Sequence, residues 1–359
     1  MGDEIYHRLA KILDTLPNGF PSTESGVEIA ILKKVFSKEN AELFCDLRLS
    51  FETAEQIAER TGRPFEGMEE ALIDMWKLGQ ILGVDMGEVK IFKMMPWVFG
   101  IYELQSDRMD REFAEICEEY FDSFGRQFFM NKPQLMQVVP VEKEISAIQE
   151  ALPYEKVSTI IRNGVSFGLG DCICKKKERL LGKSCDKPTE VCMGIAPVPG
   201  VFEKGHWGRP ISKEEAEEVL KKAEDAGLVH MTINSETEHF YICNCCGCCC
   251  GVLRSVNEFG ITDAVNSHFF AEIDHDKCVG CGLCADERCQ VNAIEADDDF
   301  YRVIKKRCIG CGLCVSSCPE GAATLERKTG DELIAPPEDE KEWFERRGKN
   351  RGVDFSLYK

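Results

Sequence analysis

The chain has 359 residues, with 63 Asp+Glu against 44 Lys+Arg and a formal net charge of −19. That balance argues against a basic, phosphate-tracking nucleic-acid binder, and no apolar run reaches the roughly 18 residues of a membrane-crossing helix, so no membrane insertion is expected. Twenty cysteines without a charged, apolar, small-residue leader are expected to ligate metal in a soluble, cytoplasmic protein rather than form disulfides, and to belong to an anaerobe, because exposed thiolates and clusters oxidise readily.

Within an expected first domain of residues 1–96, Glu24 to Pro96 reads as helix, helix, turn, helix and β-hairpin. Thr53 and Gln56 form a capping box ahead of TAEQIAER, which the TGRP turn at Thr61 to Pro64 stops. Phe65, Met68, Leu72, Met75 and Trp76 recur at helical spacing, and QILGV and VKIFKMM flank the turn DMGE. The pattern resembles a winged helix. Such domains often bind DNA, but the helix that would enter the groove carries Glu66, Glu69, Glu70 and Asp74 against Lys77, so phosphates would repel it. An interaction or dimerisation domain is expected, with a DNA reader as the alternative.

Residues 97–152 read as a helical connector. Met109, Phe113, Ile116, Cys117 and Tyr120 make one apolar stripe between Ser106 and Phe121, and Cys117, like Cys45, is expected simply to pack. After Pro153 cysteine and glycine rise, so a new domain, residues 153–262, is expected to begin there.

That middle domain holds two cysteine groups. Cys172, Cys174, Cys185 and Cys192 are spaced C-x-C-x10-C-x6-C, and Cys243, Cys245, Cys246, Cys248, Cys249 and Cys250 crowd the run CNCCGCCC. Thiols this dense cannot all be buried and inert, because alternate side chains of an extended segment face opposite ways. Between the groups, Ser212 and Glu215 cap a helix carrying Ala216, Val219, Leu220 and Ala223, and the strands LVHMTI and HFYIC follow. Helix and hairpin would return CNCCGCCC to the CxC loop, so one or two further iron–sulfur clusters built from both groups are expected, zinc or an unmetallated thiol group being the alternatives. Spacing does not select among the six. His206, His230 and His239 are candidates to ligate metal or to tune a cluster by hydrogen bonding.

Residues 271–328 carry two near-copies of one pattern, CVGCGLC at Cys278, Cys281 and Cys284 and CIGCGLC at Cys308, Cys311 and Cys314, with Cys289 and Cys318 downstream. Three cysteines two residues apart let one loop supply three corners of an iron–sulfur cube, whereas zinc ribbons and disulfide frameworks use pairs. This segment resembles the bacterial-type ferredoxins with two [4Fe–4S] clusters. The resemblance implies one cluster on Cys278, Cys281, Cys284 and Cys318, and another on Cys308, Cys311, Cys314 and Cys289, since in that family the fourth cysteine of each run serves the other cube. The first run departs from the family pattern, being C-x4-C-Q at Cys284, Cys289 and Gln290 where the second is C-x3-C-P, and the turn DER is expected to absorb the extra residue. Strands are expected at Phe300 to Ile304 and Ala322 to Leu325. The stretch Leu152 to Val252 also resembles a segment of anaerobe iron–sulfur proteins described only as ferredoxin-type, which names no substrate.

Residues 329–359, with Pro336, Pro337 and mixed charge, are expected to be an extended tail over another surface. The whole reads as a multidomain α+β protein: a winged-helix-like and helical N-terminal region, a Cys-rich middle domain and a ferredoxin-like module. Its expected function is iron–sulfur electron transfer to a redox partner protein, alone, as a homo-oligomer or as a subunit of an anaerobic oxidoreductase. The alternatives are an enzyme with a catalytic cluster in the middle region and a redox-sensing regulator. No Walker A sequence and no GxGxxG after a strand supports an enzyme.

Overall fold

The N-terminal region comprises α1 (Glu4–Thr15), α2 (Val27–Val35), α3 (Lys38–Phe44), α4 (Ala54–Thr61) and α5 (Met68–Lys77), followed by β1 (Leu82–Asp85) and β2 (Lys90–Lys93). A computed structural model describes residues 3–145, 152, 155–183 and 185–359, so Pro153, where the composition shifts, lies outside the described residues. Thr53 N–H donates to Gln56 Oε1 at 2.8 Å and Gln56 N–H to Thr53 Oγ1 at 3.2 Å, so the capping box serves two otherwise orphaned donors. Met68, Leu72, Met75 and Trp76 turn inward from α5, while Glu66, Glu70 and Asp74 stay exposed. Phe65, read as part of that stripe, precedes the helix and is 57% exposed.

Next come α6 (Arg111–Met130) and β3 (Met136–Val138). Asp110 caps α6 by accepting from Phe113 N–H at 2.8 Å. The apolar stripe continues past Phe121 through Phe124, Phe128 and Phe129, all buried.

The middle region runs α7 (Val157–Asn163), β4 (Ser166–Asp171), α8 (Ile173–Leu180), β5 (Glu190–Ala196), α9 (Val201–Lys204), β6 (Arg209–Ile211), α10 (Lys213–Asp225), β7 (Val229–Ile233), β8 (Tyr241–Cys245) and α11 (Gly251–Phe259). Its six-stranded antiparallel sheet has the order β3-β7-β8-β5-β4-β6. Ala216, Val219 and Leu220 of α10 pack on Phe167, Leu169, Met193 and Ile242 of the sheet, each large apolar side chain contributing about 1.5–3 kcal/mol. The expected helix and hairpin form, with Val229 opposite Cys245 and Met231 opposite Cys243.

The C-terminal module contains β9 (Phe269–Ile273), β10 (Ile294–Asp297), β11 (Phe300–Val303), α12 (Leu313–Ser316) and β12 (Ala323–Arg327), with β9 paired to β12 and β10 to β11. Beyond it the tail is not extended throughout, for α13 (Glu340–Arg351) wedges against α6. Trp343 buries its ring and donates from Nε1 to Gln134 O at 2.8 Å. Arg347, fully buried, donates to Pro17 O, Phe128 O, Asn131 O and Pro133 O. Its cation thus serves carbonyls at the end of α6, each such bond worth about 1.5–3 kcal/mol. Among the described residues, no helix is long and apolar enough to cross a membrane.

Candidate metal centres

Each loop of the C-terminal module bends through glycines that approach neighbouring backbone. Gly280 (φ 67) and Gly310 (φ 59) lie in the left-handed region, and a Cβ at Gly310 would fall 2.1 Å from Phe269 O. A small cavity is lined by Cys278, Cys281, Cys284 and Cys318 with Ile273 and Tyr301, so Cys318 faces the first loop. Cys289 conversely lies close enough to Cys308, Cys311 and Cys314 to add its charge to the larger effect of burial, which pushes the Cys311 thiol up to about 12. The first loop is open, with Cys281 and Val279 exposed, while Ile309, Gly310, Leu313 and Cys314 of the second are buried.

Three of these sulfurs accept backbone donors. Ala271 N–H reaches Cys308 Sγ at 3.3 Å, Ala293 N–H reaches Cys289 Sγ at 3.1 Å, and Ala322 N–H reaches Cys318 Sγ at 3.3 Å. Such bonds favour the thiolate and are a lever on cluster potential. Two sets of four thiols, glycine-lined loops and N–H···S donors all fit iron–sulfur cubes. Residues 271–325 match the 4Fe-4S dicluster domain. The chain therefore carries a cluster-binding module of ferredoxin-like kind at its C-terminal side, and no curated protein matches the chain.

The dicluster module rests on the middle domain. Arg288, in the turn before Cys289, donates to Asp225 O at 2.9 Å and Glu224 O at 2.9 Å at the end of α10, and Val141 N–H donates to Cys311 O at 3.0 Å. Gly247, inside CNCCGCCC, donates to Gln290 Oε1 at 3.0 Å, and Asn257 Nδ2 bonds both Gly247 O and Gln290 O. The crowded turn thus touches the residue after Cys289.

The ten middle cysteines fall into two sets. Cys246, Cys248 and Cys249 gather with Cys185, their sulfurs all within 4.8 Å of one another. Cys243 instead interacts with Cys192 and Cys245, Cys245 with Cys250, and Cys172 with Cys174. Local geometry explains the division: the period of two in β8 puts Cys243 and Cys245 on one face. The turn after Cys245 carries Cys246, Cys248 and Cys249 to Cys185, and Cys250 returns at the start of α11. Cys172 stands immediately before α8 and Cys174 sits in its first turn.

Electrostatics mark both sets. A hydrogen bond from Cys174, opposed by burial, brings the Cys172 thiol down to about 6, and bonds from Cys246 and Cys249 bring Cys248 down to about 4. Their neighbours move the other way: Cys174, Cys243, Cys245, Cys249 and Cys250 are all raised, chiefly by thiol contacts and secondly by burial. Packed thiols can ionise one at a time; a metal cation would deprotonate them together. Lys175, 3% exposed, donates to Asn244 O at 3.0 Å. Burial would lower its ammonium, but Cys172, Cys246, Cys245 and Cys185 outweigh that and raise it.

Asn244 stands between two cysteines of β8 and points the other way. Its Oδ1 meets His230 Nδ1 at 2.6 Å and its Nδ2 donates to Val191 O at 2.7 Å, so His230 sits behind the cysteine strand. His206 packs edge-on to Trp76 at 4.7 Å. His239 meets Thr232 Oγ1, and burial pushes it down to about 4. The tight quartet contains no histidine.

On the far side of Cys192 and Cys243 lies a cavity of about 580 Å³, lined by Trp76, Phe99, Phe202, Trp207, Tyr241 and Phe344 among others. Glu103 also lines it, accepting Gly100 N–H at 2.7 Å, and burial pushes its carboxyl up to about 8. Neither Glu103 nor Lys175 stood out in the sequence. A lysine directly after the CxC pair was the one local signal.

Proposed function

We propose that the chain is an iron–sulfur electron-transfer protein, or the electron-transfer subunit of an anaerobic oxidoreductase. In this reading the cube on Cys278, Cys281, Cys284 and Cys318 is the outer station, and the cube on Cys308, Cys311, Cys314 and Cys289 the inner one. A third cluster is held by ligands drawn from Cys172, Cys174, Cys192, Cys243, Cys245 and Cys250. When bound, such clusters accept and donate single electrons. The chain's own residues hold the thiolates, donate N–H groups to their sulfurs and exclude water from the inner loop.

The contact between Gly247 and Gln290 carries the reading, because it joins the middle cysteines to the residue after Cys289. Exposed Asp276, Asp286, Asp298 and Asp299 near the outer loop suit a redox partner with a basic patch. The N-terminal helices and hairpin serve as a winged-helix-like interaction domain rather than a DNA reader, consistent with the acidic outer face of α5 and with the packing of Trp76 on His206.

Anaerobic purification with iron and sulfide counting, beside EPR of the reduced protein, tests this. About 12 irons per chain would match three cubes, and about 8 would leave the third group without one. A colourless preparation without acid-labile sulfide would sink the proposal.

The cavity favours a second, catalytic reading, in which a small apolar, aromatic molecule is reduced beside Cys192 and Cys243 with Glu103 as the nearby acid. It requires an EPR signal that changes on adding an aromatic probe such as menadione. Ala196→Trp, which fills the cavity, should abolish that change.

A further inference from the structure

We propose that Cys185, Cys246, Cys248 and Cys249 form a mononuclear tetrathiolate site for zinc, separate from the iron–sulfur clusters. The first ground is size. Cys185 Sγ lies 3.9 Å from Cys246 Sγ and 3.7 Å from Cys249 Sγ, and Cys248 Sγ lies 3.6 Å from Cys249 Sγ. Four sulfurs about 2.3 Å from a tetrahedral zinc are about 3.8 Å apart. A cube carries an iron at each corner and holds its thiolates outside those irons, hence farther apart. The molecule supplies its own ruler: among the described residues, no three of the eight dicluster cysteines come within 4.8 Å of one another, whereas this quartet does.

The second ground is the ligand arrangement. One turn supplies three sulfurs and a remote loop the fourth, Cys246 and Cys249 are buried, and Val191, Ala223 and Leu228 pack around them. Four protein thiolates fill a tetrahedron and leave no open position, which is the form of structural rather than catalytic zinc.

Charge supplies the third. Four thiolates on a zinc ion leave a net dianion, and a buried ammonium needs a counter-charge. Among the described residues, the Lys175 ammonium has no carboxylate as a hydrogen-bond partner and donates to Asn244 O at 3.0 Å, in the strand that leads into the quartet's turn. A single buried ammonium offsets part of that negative charge.

The zinc would tie the loop after α8 to the turn between β8 and α11. That clamp holds the turn that carries Gly247 against Gln290. The site rests on the electron-transfer reading only for that positioning role; its metal content is independent.

Zinc and iron analysis of the full chain, purified without oxygen, should give about one zinc per chain beside the cluster iron. Zinc-edge X-ray absorption should find four sulfurs at about 2.3 Å, a measurement that needs no variant. Cys248→Ser with Cys249→Ser should lose the zinc and keep the reduced-state EPR signals. One iron in place of zinc, nitrogen or oxygen in the zinc shell, or a loss of about four irons in the double variant would each overturn the assignment. None of these outcomes depends on whether the dicluster module carries electrons, which its own iron and EPR signals report.

Discussion

The amide of Cys289 donates to the carbonyl of Cys284 at 3.0 Å, closing a turn one residue wider than that of an α-helix. In the companion run, the short helix Leu313–Ser316 precedes Cys318, whose N–H reaches Val315 O at 3.2 Å. The π-type turn takes up the extra residue of C-x4-C. Cys289 therefore still arrives beside Cys308, Cys311 and Cys314.

Crossed ligation makes a pairwise prediction for serine variants. Cys289→Ser should lose the same reduced-state EPR signal as Cys311→Ser, and Cys318→Ser the same signal as Cys281→Ser. Each should also lower the iron content by about one cube. If Cys289→Ser instead matches Cys281→Ser, each run keeps its own fourth cysteine and the assignment is wrong.

Gly247 packs closely between the middle domain and the dicluster module, since a Cβ there would fall 2.0 Å from Gln290 O. Both atoms belong to or hang on backbone, so neither can swing aside. Gly247→Ala should destabilise the chain by about 1–3 kcal/mol, read as a lower denaturation midpoint at unchanged slope. It should also slow electron exchange between the inner cube and the middle cluster, followed by freeze-quench EPR. Wild-type values for both would mean that this contact does not couple the two parts.

How much of this was legible in the sequence depends on how local the signal was. The C-terminal loops could be read because three ligands per loop is a local pattern, and the capping box at Thr53 because Gln56 is three residues away. The division of CNCCGCCC could not, because Cys246 and Cys249 are sorted from Cys245 and Cys250 by where the strand ends and the turn begins. The tail helix was hidden for the opposite reason. Its dense charges and prolines read as an extended tail, yet α13 forms and Arg347 is buried because its partners are carbonyls of Pro17, Phe128, Asn131 and Pro133, distant in sequence. Glu103 gains its character from the cavity around it, which spacing does not encode.

His239 gives the fold a defined weakness to acid. Burial holds its folded-state pKa at about 4, below the ordinary value of 6.5. The unfolded chain therefore binds the extra proton first, and stability falls as pH drops through 6.5 and levels off near 4. The loss from this group is about 3 kcal/mol at most. Urea unfolding at a series of pH values should show a shallower acid decline in His239→Gln than in the wild type. Parallel curves would mean that His239 is protonated equally well in both states.

The surroundings of the first cysteine loop set which small electron carriers would reach a cube held there fastest. Cys281 and Val279 are exposed, a Cβ at Gly280 would meet Asp299 O and one at Gly282 would meet Asp286 Oδ2, so acidic residues stand directly beside the loop. Like-charged carriers are repelled there and cations are drawn in, an effect that salt screens over a Debye length of about 10 Å at 0.1 M. In stopped-flow, reduction by the methyl viologen radical cation should slow as salt rises, and reduction by dithionite, an anion, should quicken. Asp286→Lys with Asp299→Lys should flatten or reverse both trends while leaving iron content unchanged. Salt dependence of one sign for both carriers would show that electrons enter elsewhere than at this loop.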